Sequence, residues 1–372
     1  MAKSRALAVF AAWGFYLIIV LEFLYMISPF ALYFYSAYGP ALNLLHRSPS
    51  TAWLTAFFLP HFSHTSSLLL NGLHEVGELV ALSGLLIFGI GATQIYWAKI
   101  RRKNAVTGGV YAYIRHPQYL GLAILGFATM LIWPRFLVLV CYVTMLFLYV
   151  LLAGWEEERC LDKYGESYRS YQAGTAMFLP RSLIHWIPDV LPKTGGKRLT
   201  AMLAIFAVAM GVAVGLAFEL RNYSLSKVSS LYSQNAAVLS PAVLTENELS
   251  SAYQLAAANP EVQQRLQSVG PSAKLIVYVI PSEWYLPDLP VEVLYKLGGH
   301  RTPKNFDRRY YKVLFTQART HSHELAGKDI VKSAYGRNTL VLVRVNIAED
   351  SVTAVEIPPA HVVWGDIPTP MF

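Results

Sequence analysis

The 372-residue chain is 54% hydrophobic and 13% aromatic, carries only 15% charged residues and has a formal net charge of +8. This is too apolar for an ordinary soluble protein, so a membrane part joined to a soluble part is expected. Before Glu219 there are 16 Lys and Arg against 9 Asp and Glu, and from Glu219 onward 15 against 14, so the net charge belongs to the membrane half. These basic residues flank hydrophobic runs instead of forming one continuous face. Topology and anionic headgroups therefore account for them, and nucleic acid is not an expected partner.

In chain order, Met1-Ala2-Lys3-Ser4-Arg5 leads into an apolar run too long for a signal-peptide core and without a clear cleavage site, which predicts an uncleaved first span. Runs of about 20 apolar residues predict spans over 8–35, 76–98, 118–132, 135–154 and 199–218. The third is short, and Trp133-Pro134-Arg135 turns it into the fourth as an antiparallel hairpin. The run 53–70 is broken by Pro60, His61 and His64 and reads as interfacial or re-entrant, with a full span as the alternative. Residues 155–172 read as an amphipathic helix lying on the membrane, with Leu161, Tyr164, Tyr168 and Tyr171 on one stripe, either as interfacial anchors or as ligand contacts.

Beyond Glu219, helix-like pieces at 246–258 and 260–267 precede strand-like runs at 274–280, 310–316, 339–347 and 353–357. The expected fold class is an all-α polytopic membrane domain of about five transmembrane helices plus a re-entrant or interfacial segment, followed by a small α+β soluble domain. The limits are 1–198 for the membrane domain (core 78–181), 199–218 for the final transmembrane helix and 219–372 for an extracytoplasmic domain, whose partner is either a protein or a ligand. His300, Arg301, Arg308 and Arg309 read as a solvated cationic face. Cys141 and Cys160 have no metal-type spacing and read as structural.

With the N-terminus in the cytoplasm, fourteen basic residues (Lys3, Arg5, Lys99, Arg101, Arg102, Lys103, Arg115, Arg159, Lys163, Arg169, Arg181, Lys193, Lys197 and Arg198) lie inside, and only Arg47 and Arg135 lie outside. This places the C-terminal domain on the opposite side, periplasmic if the source is bacterial.

Two segments carry chemistry. In Gly109-Val110-Tyr111-Ala112-Tyr113-Ile114-Arg115-His116-Pro117-Gln118-Tyr119-Leu120-Gly121, Pro117 suits a first helical turn whose free N–H groups favour an anion, and Arg115 and His116 add donors. Arg115 is either a headgroup anchor or a ligand contact. Glu156-Glu157 ends the fourth span, where adjacent carboxylates need a cation unless they form a solvated helix end beside Arg159 and Lys163. The hairpin brings both segments to one membrane face, and an anion-reading group beside a cation-reading group suits a zwitterionic amino-acid moiety.

With Leu161, Tyr164-Gly165, Tyr168, Tyr171 and Pro180 following, the pattern resembles the integral-membrane methyltransferases that include isoprenylcysteine carboxyl methyltransferase and the phospholipid N-methyltransferases, over residues 78–181. The resemblance implies S-adenosylmethionine as methyl donor and a lipophilic acceptor (lipid, isoprenoid or prenylated) arriving from the bilayer. It implies that Tyr111, Arg115, His116 and Tyr119 line the cofactor pocket, that Glu156 and Glu157 hold the cofactor's amino-acid end, and that Gly109 allows close approach of the backbone. Arg115 and Glu157 are the catalytic candidates, and no metal is required. Gly89-Ile90-Gly91 is similar to a Gly-x-Gly of the phospholipid enzymes, but paired glycines in a membrane helix more often serve packing. The short linker 99–107 and the extra C-terminal domain depart from the prenylcysteine enzymes, so their substrate does not follow.

His61, His64, His74, Glu75 and Glu78 form a second polar cluster that admits metal binding, a substrate pocket or interhelical packing. The competing readings are a non-catalytic membrane anchor or sensor displaying the C-terminal domain, and a transporter, which the absence of an inverted repeat disfavours.

Overall fold

The computed structural model describes residues 6–358 apart from 8, 15, 18, 19, 21–30, 61, 62, 102–104, 185–195, 285–304, 321 and 323. The helices in chain order are α1 (Ala31–Arg47), α2 (Leu73–Ile100), α3 (Pro117–Ile132), α4 (Phe136–Tyr164), α5 (Glu166–Gly174), α6 (Gly196–Ser226), α7 (Glu246–Ala257), α8 (Pro260–Ser268) and α9 (Lys328–Ser333), with short helical turns between some of them. The chain divides into two compact units, one of residues 1–23 and 73–216, the other of residues 24–72 and 217–372.

The first unit is helical. Among the described residues, α2, α4 and most of α6 are long and apolar enough to cross a membrane, and α3 is a shorter apolar helix. Of the five expected spans, 76–98, 135–154 and 199–218 correspond to α2, α4 and α6, and 118–132 to the shorter α3; the count of five is not established. The expected first span over 8–35 lies partly outside the described residues. Large apolar side chains such as Leu79, Leu82 and Leu86 on α2 and Leu203, Val208 and Val212 on α6 are exposed, as a lipid-facing helix requires.

What fixes α2 against α3 is a row of glycines seven residues apart, Gly77, Gly84 and Gly91, all buried on α2. A Cβ at Gly84 would stand 2.7 Å from the Leu125 nitrogen and 2.8 Å from the Gly121 oxygen, and one at Gly121 would stand 2.8 Å from the Gly84 oxygen. Gly77 faces Ile132, and Gly91 faces Pro117 at the other end, so the helices run antiparallel with their backbones nearly touching. The expected hairpin follows, with α3 ending at Ile132, buried Trp133, Pro134 and Arg135 at the corner, and α4 starting at Phe136.

Residues 155–172 do not form one separate amphipathic helix. The membrane helix α4 continues to Tyr164, Gly165 breaks it at φ +57°, and α5 starts afresh at Glu166. That left-handed conformation suits glycine alone, which explains its place in the middle of the aromatic stripe.

The second unit is a mixed six-stranded sheet, β1 (Ser229–Tyr232), β2 (Ala236–Ser240), β3 (Leu275–Pro281), β4 (Tyr310–Arg319), β5 (Gly336–Asn346) and β6 (Ser351–Glu356), in sequential order. All neighbours pair antiparallel except β2 and β3, which run parallel through the α7–α8 crossover. Helix α7 starts with a capping box between Thr245 and Glu248, and α8 with Asn259 before Pro260. This is the expected α+β domain, with two strands that the hydropathy pattern did not reveal.

The run 53–70 joins this unit. Residues 52–55 form a single 3-10 turn, Phe57, Phe58 and Leu59 are buried, and the backbone nitrogens of His64 and Ser66 donate to the carbonyls of Pro241 (2.7 Å) and Lys227 (3.0 Å). It is therefore not a membrane-crossing helix. Phe57, Phe58 and Leu59 are buried in protein, whereas Leu68 and Leu69 are exposed.

The glycine seam generates a paired test. Gly121→Ala places a methyl against backbone atoms of α2 and should lower the thermal midpoint of the purified protein clearly. Gly89→Ala, which meets nothing within 4 Å, should leave the midpoint unchanged or slightly raised. Equal effects of the two would refute close α2–α3 packing.

Candidate functional site

The site is built where α2 ends, α3 begins and α4 leaves the apolar region. Pro117 occupies the first turn of α3, and His116 is its N-cap without a side-chain capping bond, which leaves the imidazole free for other partners. The strand-like stretch before it is pinned to the chain after α5, because Arg115 and His116 donate their backbone N–H groups to the carbonyls of Ala176 (2.9 Å) and Met177 (3.0 Å).

Arg115 and Glu157 meet across this corner. The Arg115 Nε donates to Glu157 Oε1 at 2.6 Å, and both side chains are more than nine-tenths buried. A second guanidinium nitrogen donates to the carbonyls of Gln172 (3.1 Å) and Thr175. Glu157 also accepts from Gln172 Nε2 at 2.7 Å and faces His116 Nε2 at 3.1 Å. A buried charge pair is tolerable only when its remaining donors and acceptors are satisfied, and here they are. These two catalytic candidates thus bind each other and the α5 segment.

Glu156 differs from its neighbour. Its side chain is 52% exposed, with Oε1 accepting from the Tyr119 hydroxyl at 2.6 Å and Oε2 lying 3.5 Å from His116 Nδ1. Both nitrogens of His116 therefore face carboxylates, an arrangement that only the doubly protonated ring can satisfy as donor. Burial opposes the charge on His116, but hydrogen bonds to Glu156 and Glu157, with their charges, outweigh it and raise the imidazole above its ordinary value. The ring stacks on Tyr119 at 5.6 Å, and Phe178 lies 5.9 Å away.

Tyr111 is buried and serves as a bridge. Its hydroxyl donates to the Gly91 carbonyl at 3.2 Å, and its own carbonyl accepts from the Tyr171 hydroxyl at 2.6 Å. Burial raises the phenols of Tyr111 and Tyr171, so both stay neutral donors. Of the expected glycine pair, Gly91 packs on Pro117, whereas Gly89 meets nothing. Gly109 has φ +65°, and any Cβ there would collide with the Gln94 side chain. Gln94 itself escaped the sequence reading. Its Oε1 is buried beside Gly109 without a hydrogen-bond partner among the described residues. The one available signal was a lone amide three residues past Gly91 in an apolar helix. Gln172 and the 175–177 carbonyls were also missed.

All seven expected residues, Gly109, Tyr111, Arg115, His116, Tyr119, Glu156 and Glu157, therefore lie in or beside one constellation. The second cluster is elsewhere. His74 and Glu78 form an exposed contact of 3.6 Å at the start of α2, twenty residues and about 30 Å of helix from Gln94. His61 lies outside the described residues, and among those described no three His, Cys, Asp or Glu side chains gather to hold a metal. Of the cationic face, Arg308 pairs with Glu248 at 2.7 Å and Arg309 with Asp307 at 2.7 Å, while 300 and 301 are not among the described residues.

Residues 63–167 match the model of the phospholipid methyltransferase family. The matched stretch contains α2, the Gly109–Gly121 segment, the hairpin and Glu156-Glu157, and the resemblance to membrane methyltransferases holds over it; Tyr168, Tyr171 and Pro180 lie beyond. No curated protein and no solved structure matches the chain.

Two outcomes follow from the geometry. Arg115→Met strands a buried carboxylate and should cost about 3 kcal/mol of unfolding free energy, most of which the double variant Arg115→Met/Glu157→Leu regains; additive losses in chemical denaturation would refute the coupling. His116 has a folded value raised above its unfolded one, so its stabilising contribution is complete below about pH 6.5 and is lost as pH rises through the folded value. The thermal midpoint gap between wild type and His116→Asn should accordingly be wide at pH 6 and narrow at pH 9.

Proposed function

We propose that this chain is an S-adenosylmethionine-dependent methyltransferase whose acceptor is a membrane-soluble lipid, isoprenoid or prenylated molecule. The family match over 63–167 supports a methyltransferase acting on a lipid-type substrate. The observation that carries the finer reading is the open carboxylate of Glu156, oriented by Tyr119 and His116 next to a buried, satisfied Arg115–Glu157 pair.

The donor set fits the cofactor. Glu156 has the charge and exposure to hold an α-ammonium group, and the orphaned Gln94 Oε1 beside Gly109 can accept from an amino group. Bound there, S-adenosylmethionine supplies an electrophilic methyl on a cationic sulfur. The chain's contribution is position and dryness. Tyr119 and His116 fix the Glu156 carboxylate, while Arg115 and Glu157 are positioning residues that lock α3, α4 and the 172–177 stretch. The stacked rings of His116, Tyr119 and Tyr149 exclude water from the apolar side. A water-poor wall favours dispersal of the sulfonium charge during transfer. Glu157, tied up by Arg115, Gln172 and His116, is not open to take a proton from an acceptor.

In this reading the site faces the cytoplasm and the C-terminal domain lies across the membrane, supported by the bias of Lys and Arg towards one set of loops. The C-terminal domain then displays a surface for a ligand or protein partner on that far side.

The test is transfer of labelled methyl from S-adenosylmethionine into a whole lipid extract by purified protein, alongside direct cofactor binding. Wild type should label the organic phase. Glu156→Gln, losing one charge-assisted contact, should weaken cofactor binding about tenfold to a hundredfold. Absence of both labelling and cofactor binding in folded wild-type protein would overturn the reading in favour of an anchor.

A further inference from the structure

A column of tyrosines continues from the site into the apolar part of the helical unit. Tyr119 stacks on Tyr149 at 4.9 Å, and Tyr149 lies 5.7 Å from Tyr16 on the N-terminal helical stretch. Tyr149 is 4% exposed, and the hydroxyls of both Tyr149 and Tyr16 are buried with no hydrogen-bond partner among the described residues. The residues packed around them, Ala12, Cys141, Met145 and Leu152, are apolar. Two unpaired phenols on neighbouring rings in such surroundings are unfavourable unless something completes them.

Position and charge restrict what that atom is. Tyr149 precedes Glu156 by seven residues, two turns of α4, so it lies on the same face about 10 Å deeper. The headgroup layer on each side of a bilayer is about 5–7 Å thick. A molecule with its head at Glu156 therefore reaches the level of its ester linkages at Tyr149. Apolar and aromatic side chains pack around the two phenols; an anionic group held by them alone would be uncompensated, whereas a neutral oxygen accepting from a phenol is well matched.

We infer that the Tyr149 and Tyr16 hydroxyls form the acceptor-side half of the site, donating to a neutral carbonyl oxygen of a lipid, of the ester kind, that sits about two helical turns deeper than its headgroup. The inference rests on the methyltransferase reading for the identity of the molecule as acceptor, but lipid binding tests it without turnover. Tyr149 and Tyr16 are specificity residues, remote from the methyl group.

The experiment uses purified, delipidated full-length protein and two probes with the same headgroup, diacyl and dialkyl glycerophosphoethanolamine, which differ in having or lacking the ester carbonyls. Thermal stabilisation is titrated with each. Wild type should half-saturate with the diester at a concentration about threefold to tenfold lower than with the diether, the span of one or more neutral hydrogen bonds. Tyr149→Phe should abolish that preference while leaving the lipid-free midpoint unchanged or raised, since the hydroxyl it removes is unpaired; a merely structural hydroxyl would lower it. Equal response of wild type to the two lipids, no response to either, or a preference that survives both Tyr149→Phe and Tyr16→Phe overturns the inference. Ester preference without S-adenosylmethionine binding in the same preparation would sustain this site and sink the transferase reading, and the reverse pattern would do the opposite.

Discussion

Two opposite charges, on Arg115 and Glu157, are withdrawn from water at the end of an apolar hairpin, and the surrounding structure is organised by the need to satisfy them. A guanidinium and a carboxylate in that position gain nothing from each other unless every remaining hydrogen-bonding atom is also met. The carbonyls of Gln172 and Thr175, the Gln172 amide and the His116 ring meet them. Three separate stretches of chain, before α3, at the end of α4 and after α5, are thereby held in one register. The break at Gly165 belongs to the same requirement, since a straight continuation of α4 would carry 172–177 away from Arg115.

The pair also explains why two adjacent glutamates have unlike environments. Successive residues on a helix point about 100° apart, so the turn that aims Glu157 inward leaves Glu156 at the rim. One carboxylate is thus consumed by the framework and the other is displayed by it, supported by Tyr119 and His116. The division could not be read from the letters Glu-Glu. It follows from which neighbour faces the guanidinium.

Much of this region was legible because its chemistry sits in side chains at distinctive spacing. Arg115-His116 and Glu156-Glu157 lie forty-odd residues apart, and the apolar run interrupted by Trp133-Pro134-Arg135 allowed only a hairpin to join them. The backbone carbonyls that complete the site carry no such signal, and Gln172 was one polar residue among several on α5. The full-span alternative for 53–70 failed for a different reason. Phe57, Phe58 and Leu59 are apolar whether they face lipid or a protein core, and hydropathy does not distinguish these solvents. Strands β1 and β2, four and five residues long and rich in Ser and Ala, fall below the length at which alternation is informative. The longer strands β3 to β6 showed because Val, Ile and Leu recur in them.

The glycine seam connects this framework to what a transfer site needs. With Gly84 and Gly121 in backbone contact, α2 and α3 form a single stiff plank, and Gly91 and Pro117 set its end at the polar corner. Reactive alignment depends on errors well below an ångström, so a site mounted on two helices packed this closely inherits little of the motion that a loop would bring. Lipid cannot supply that rigidity, because it offers helices no hydrophobic reason to associate; close van der Waals contact between backbones can. The charged corner then need not hold the helices together. Its strength is free to fix the direction of one exposed carboxylate, and Tyr149, two turns earlier on α4, stacks on Tyr119 within the same frame.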